Sequence, residues 1–160
     1  MKQGLIDDFF EGMHLKYLQR TQFRYVHRGC RRFVRDQRSY FESFYFYPLQ
    51  QEPDASSFAL YAAVSFKNLE EEYYPVTTWR GEPESSNFSH NHWVTAAQDL
   101  LANQEEACAR FELRLDSDFD GLQREVAACM GLASNEMHSR ISTIRHDYLQ
   151  HYHHSPQKSF

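Results

Sequence analysis

The sequence predicts an α+β domain: an N-terminal helix, an antiparallel meander of four or five strands, and three C-terminal helices packed on one face of the sheet. Two observations predict it. Apolar residues recur at helical spacing before residue 20 and after residue 94, and alternate with period two between residues 22 and 66. Strands that follow one another, with helices segregated to either side, favour an antiparallel sheet. A chain of 160 residues, 41% of them hydrophobic and 16% aromatic, suffices for one packed interior. The single domain spans residues 1–160, sheet-rich over 1–80 and helical over 91–152.

The elements follow in order. Residues 4–20 place Ile6, Phe9, Phe10, Met13 and Tyr17 on one helical face, with Asp7 and Asp8 complementing the dipole in the first turn. Gly12 weakens that helix. From Gln22 the period is two, Gly29 breaks the run, and residues 31–35 form a second short strand before a turn at 36–39. Residues 40–47 are the strongest β segment, with Pro48 ending it. Residues 57–66 put Phe58, Leu60, Ala62, Val64 and Phe66 on a core face and Ala59, Tyr61, Ala63 and Ser65 on the other. Residues 75–79 offer a fifth strand, and residues 80–92 form a long loop. Val94, Ala97, Leu101, Gln104, Cys108, Phe111 and Leu115 make a helical stripe. Ser117 and Asp120 fit a capping box for the next helix, which Gly131 closes. Ser134 then caps a third helix, with Met137, Ile141, Ile144, Tyr148 and Tyr152 inward.

Charge is divided unevenly along the chain. Seven arginines and one acid, Asp36, lie between Arg20 and Arg38, so the remainder of a chain of net charge −5 is strongly acidic. Such a division steers a charged partner toward one face. The candidate basic face comprises Arg24, Arg28, Arg31, Arg35, Arg38, Tyr45, Tyr47 and Tyr61, residue types that dominate interface hot spots. Arginines on exposed strands also block edge-to-edge aggregation, which is the plainer role open to them. The candidate acidic face comprises Glu70, Glu71, Glu72, Glu82 and Glu84, with Trp79 as an anchor.

Motifs for chemistry are sparse. Asp116-Ser117-Asp118-Phe119-Asp120-Gly121 opens like a calcium loop, but its twelfth position, where a bidentate Glu is needed, is Ala127. Capping of a helix explains the acids without a metal. The nine histidines include His90-x-His92 and His146, His151, His153 and His154, at none of the spacings that usually hold zinc. No nucleophile elbow, phosphate-cradling glycine loop or dinucleotide fingerprint occurs. No cofactor, metal or catalytic residue is therefore assigned. Cys30, Cys108 and Cys129 are odd in number and far apart, as suits free thiols in a reducing, cytoplasmic setting. No apolar run reaches membrane length.

The stretch Phe23-Arg24-Tyr25-Val26-His27-Arg28-Gly29-Cys30-Arg31-Arg32-Phe33-Val34-Arg35, with the aromatic strands and Ser65-Phe66-Lys67 after it, resembles a group of small bacterial α+β domains. These carry a basic hairpin before a meander and end in helices. Many are of unknown function, and similar proteins serve as immunity partners of polymorphic contact-dependent toxins. The resemblance covers residues 4–80 and carries over no catalytic residue. It implies a cytoplasmic, non-enzymatic protein that binds and blocks another protein, with a toxin as the partner. A basic target would engage the acidic set around Trp79, and an acidic target the Arg/Tyr sheet. The alternatives are a nucleic-acid-binding module that uses the same Arg/Tyr face, and an enzyme of uncharacterised type.

Overall fold

The computed structural model describes residues 1–28, 30–66, 92–101 and 110–153. The chain is α+β. Helix α1, Gln3–Met13, buries Ile6, Phe9, Phe10 and Met13 as their spacing requires. It starts early enough that no acid occupies its first turn, so Asp7 and Asp8 do not serve the dipole there. The helix continues as a π turn over His14–Leu18 and a 3-10 turn over Gln19–Thr21. Gln22, at φ 69°, reverses the chain into the sheet.

Strands β1 (Arg24–Arg28), β2 (Cys30–Asp36), β3 (Tyr40–Gln51) and β4 (Ala55–Phe66) form an antiparallel meander. Pro48 does not end β3. The ladder shifts register between Pro48 and Gln50 and then resumes, so the proline sits at an irregularity where its missing N–H is tolerated. The far edge of β4 is shared. Strand β5 (His92–Ala96) pairs with Tyr61–Ser65, and β6 (Arg110–Arg114) pairs with Ala55–Ala59, so the two short strands meet end to end beside Leu60.

The helical stripe expected from Val94 to Leu115 is therefore not one helix. Only α2, Ala97–Leu100, is helical, and residues 102–109 lie outside the described residues. Around Phe111 the operative pattern is period two. Phe111 and Leu113 are buried while Arg110, Glu112 and Arg114 are exposed, and the open edge of β4 supplies the backbone partners. The expected fifth strand at 75–79 also lies outside the described residues.

Helix α3 spans Phe119–Ser139 and α4 spans Ile141–His153. The cap of α3 is Asp118, whose carboxylate accepts from the Gly121 N–H at 3.1 Å. Ser117 instead accepts from the Arg114 N–H at 2.9 Å, in the turn before the helix. Gly131 does not close α3, and Ser134 lies inside it. Met130, Ala133, Ser134 and Met137 are all buried, and this continuous contact carries the helix past an exposed glycine.

Phe10 of α1 meets Phe46 at 4.8 Å and Phe58 at 5.4 Å, Ser134 of α3 bonds Glu42 of β3, and Tyr148 of α4 meets Phe66 at 5.7 Å. Phe46, Phe58, Glu42 and Phe66 alternate onto one side of the sheet. The core lies between that side and the helices.

The two helical glycines differ in surroundings. A Cβ on Gly12 would stand 2.6 Å from the Gln123 amide nitrogen, which is buried and donates to the Phe9 carbonyl at 2.8 Å. A Cβ on Gly131 would meet nothing within 4 Å. Denaturant unfolding is expected to show Gly131→Ala stabilised by about 0.5–1 kcal/mol from helix propensity. Gly12→Ala is expected to lose about 1 kcal/mol net, because displacing Gln123 outweighs the same gain.

Candidate binding face

Register across the first hairpin decides where each arginine goes. Arg28 pairs with Cys30, Val26 with Arg32, and Arg24 with Val34, while His27 pairs with Arg31 and Tyr25 with Phe33. Directly opposed residues share a face. Arg31 and Arg35 therefore project to the helix side, away from Arg24, and the expected single basic face divides.

On the helix side both are neutralised internally. Arg31 donates to Asp7 of α1 at 2.6 Å and to Gln3 at 2.8 Å, with its guanidinium 5.4 Å from the Phe10 ring centroid. Tyr25 turns its hydroxyl toward this guanidinium, and burial holds that phenol well above its ordinary pKa. Arg35 lies 4.2 Å over the Phe23 ring and donates through Nε to Glu42 at 2.6 Å. Glu42 is fully buried and also accepts from Gln37 at 3.1 Å and from the Ser134 hydroxyl at 2.6 Å. Ser134 in turn accepts from Arg35 at 2.8 Å, which closes a polar triangle between the sheet and α3. Next to it the Tyr40 hydroxyl meets His138 Nδ1 at 3.1 Å.

The opposite face carries Tyr45, Tyr47 and Tyr61, since Tyr45 pairs with Tyr61 and Tyr47 with Ala59. Of the hairpin arginines whose side chains are described, Arg24 and Arg32 lie on it, with Arg32 directly across from Tyr45, while the side chain of Arg28 lies outside the described ones. Arg32 and Tyr45 are 8% and 2% exposed, and neither is free. Arg24 is exposed but lies two strands away from β3, opposite Ser43 through Val34. Arg38 stands apart in the β2–β3 turn at φ 73°, its N–H bonded to Asp36 at 2.8 Å. Ser43, Tyr45, Ala59 and Ala63 are buried on this face, whereas Tyr47 is 45% exposed and stands against the half-buried Tyr61, with ring centroids 6.2 Å apart and planes at 75°.

Arg110 was not among the residues expected here. It pairs with Ala59, so Tyr47, Ala59 and Arg110 form a row across β3, β4 and β6. The alternation Arg110-Phe111-Glu112-Leu113-Arg114 was the available signal, hidden by reading Phe111 as part of a helix. Arg114, on the same face of β6, is surrounded by Glu112 at 2.7 Å, Asp116 at 3.6 Å and Asp54 at 3.9 Å. The hydrogen bond it donates to Glu112 and the neighbouring negative charges raise its pKa.

Glu70, Glu71, Glu72, Trp79, Glu82 and Glu84 lie outside the described residues, as do His90 and Cys108. The run from Asp116 to Asp120 is engaged in structure. Asp116 pairs with Arg114, Asp118 caps α3, and Asp120 accepts from Tyr17 at 2.8 Å, a bond that lowers its pKa. Among the described residues no cluster of three metal-ligating side chains occurs, and no helix is long and apolar enough to cross a membrane. No family model, curated protein or solved structure matches the chain.

Glu42→Ala takes the carboxylate from the half-buried Arg35 guanidinium and leaves a void at a fully buried position, and is expected to cost about 3 kcal/mol in equilibrium unfolding. The double replacement Arg35→Met with Glu42→Leu is expected to end closer to wild type than the single variant. Tyr40 gives a pH dependence. Burial first, and then the Glu42 carboxylate, push its pKa from 10.0 up to about 12, with Arg35 pulling it back. As pH rises, the unfolded phenol loses its proton first, so stability falls between about 10 and 12. Unfolding curves taken across that window should decline less steeply for Tyr40→Phe than for wild type.

Proposed function

We propose that this chain is a non-enzymatic protein-binding protein, and that it contacts its partner through the sheet face turned away from the helices. The observation that carries the reading is the Tyr47–Tyr61 pair, an edge-on aromatic contact with one ring open to solvent. Tyrosine supplies large contact area at low conformational cost, and paired rings on a rigid sheet are pre-organised for binding. Leu49, 46% exposed at the β3 irregularity, extends the apolar surface. In the form that the resemblance of the basic hairpin implies, the partner is a toxin domain and the chain is its immunity protein.

The test is capture of partners from the cells that encode the chain, followed by titration of the purified pair. Tyr47→Ala is expected to weaken the complex by roughly ten- to a hundredfold, the loss of a hot-spot side chain, without changing the unfolding midpoint. Co-expression should relieve growth arrest by the captured partner, and Tyr47→Ala should remove that relief. Oligonucleotide binding with steep salt dependence and no protein complex would instead establish the nucleic-acid reading.

A further inference from the structure

The row Tyr47, Ala59, Arg110 puts an exposed aromatic ring and an exposed guanidinium on one face of the sheet, either side of a small residue. Adjacent strands lie about 4.8 Å apart, so Tyr47 and Arg110 flank Ala59 across about 10 Å. Ala59 itself is only 6% exposed, so the reachable groups of the row are the Tyr47 ring and the exposed Arg110, with Tyr61 two residues along the same strand as Ala59. The cation of this row is unlike its neighbour. Three carboxylates surround Arg114, whereas Arg110 is exposed and forms no ion pair among the described residues. This occurs in a chain with 22 acidic and 17 basic side chains, where carboxylates outnumber the cations available to them. A planar guanidinium beside a tyrosine pair offers a fork of donors to a carboxylate and an apolar rest for the carbons behind it.

We infer that the partner presents an acidic segment, one of whose Asp or Glu side chains pairs with Arg110 while its carbons rest against Tyr47. The inference rests on the protein-binding reading and specifies the chemistry of that same face. It selects the acidic class of target, because Arg110 has no carboxylate partner to displace among the described residues.

The experiment uses the full chain, labelled with ¹⁵N, titrated with a capped peptide of alternating Glu and Gly and with its Gln/Gly twin. The Glu peptide is expected to shift the amide signals of Tyr47, Ala59, Tyr61 and Arg110, and the Gln twin to leave them in place. Arg110→Gln, an exposed change, should weaken the Glu peptide at least about tenfold, the scale of a lost charge-assisted pair. The inference is overturned by equal shifts from the two peptides, by no shift at these four residues, or by unchanged affinity in Arg110→Gln. A partner complex that depends on Tyr47 but not on Arg110 would sink this inference and leave the protein-binding reading standing. Loss of the Tyr47 dependence would sink that reading itself.

Discussion

The pairing of Arg28 with Cys30 fixes the register of the first hairpin, and together with the β2–β3 ladder, which pairs Arg35 with Glu42, it sets the side of the sheet to which the hairpin arginines belong. Side chains alternate strictly along a strand, so a shift of one residue would exchange the two faces. In the observed register Tyr25, Phe33 and the stems of Arg31 and Arg35 enter the helix side, while Arg24 and Arg32 take the other. A one-residue shift of β2 against β3 would place Phe33 away from Phe44 and Phe46 and leave Glu42 buried with no cation beside it, and a shift of β1 against β2 would carry Tyr25 off Phe33. Packing and charge therefore demand the same register.

Burying Glu42 is costly unless every lone pair is met, and the surroundings meet them from three elements. Arg35 arrives from β2, Gln37 from the turn after it, and Ser134 from the middle of α3. The consequence is orientational. A helix held only by apolar contacts can slide by a fraction of a turn, whereas the triangle of Arg35, Glu42 and Ser134 accepts one rotation of α3. The second tie is at the other end. Tyr17 and Lys16, carried round by the π turn, reach Asp120 in the first turn of α3, while Gln123 seats against Gly12. Two polar fastenings about four turns apart on one helix define its pose over the sheet.

Much of this architecture was legible because it is periodic. Residues 4–20 and the alternation across residues 22–66 give α1 and β1–β4 directly, and with them the α+β class. What stayed hidden depends on partners distant in sequence. Arg110 to Arg114 is too short to be read as a strand until the free edge of β4 is in view, and three- and four-residue spacings happen to link Phe111 with Leu115 and Cys108. Gly131 and Pro48 are local stop signals overridden by tertiary contact, the first by the buried face of α3 and the second by an irregularity in the ladder. For the binding face the residue types were legible and the parity was not. Without knowing that Arg28 opposes Cys30, Arg31 and Arg35 could not be separated from Arg24.

The location of the exposed tyrosine follows from these same constraints. β4 is paired along both edges for most of its length, and regular pairing is interrupted on one side of it opposite Ser57 and Phe58 and on the other at Leu60. On one side β3 breaks register between Pro48 and Gln50, which turns Leu49 outward next to Tyr47. On the other, β5 stops opposite Tyr61 and β6 starts opposite Ala59, leaving Leu60 at the junction. A small residue between the two interruptions is compatible with both, since Ala59 asks for no lateral packing from a continuous neighbour. Rigid strands thus hold Tyr47, Tyr61 and Arg110 around Ala59. The sheet core that a binding site needs beneath it is already provided by Phe10, Phe46, Phe58 and Phe111 on the other side.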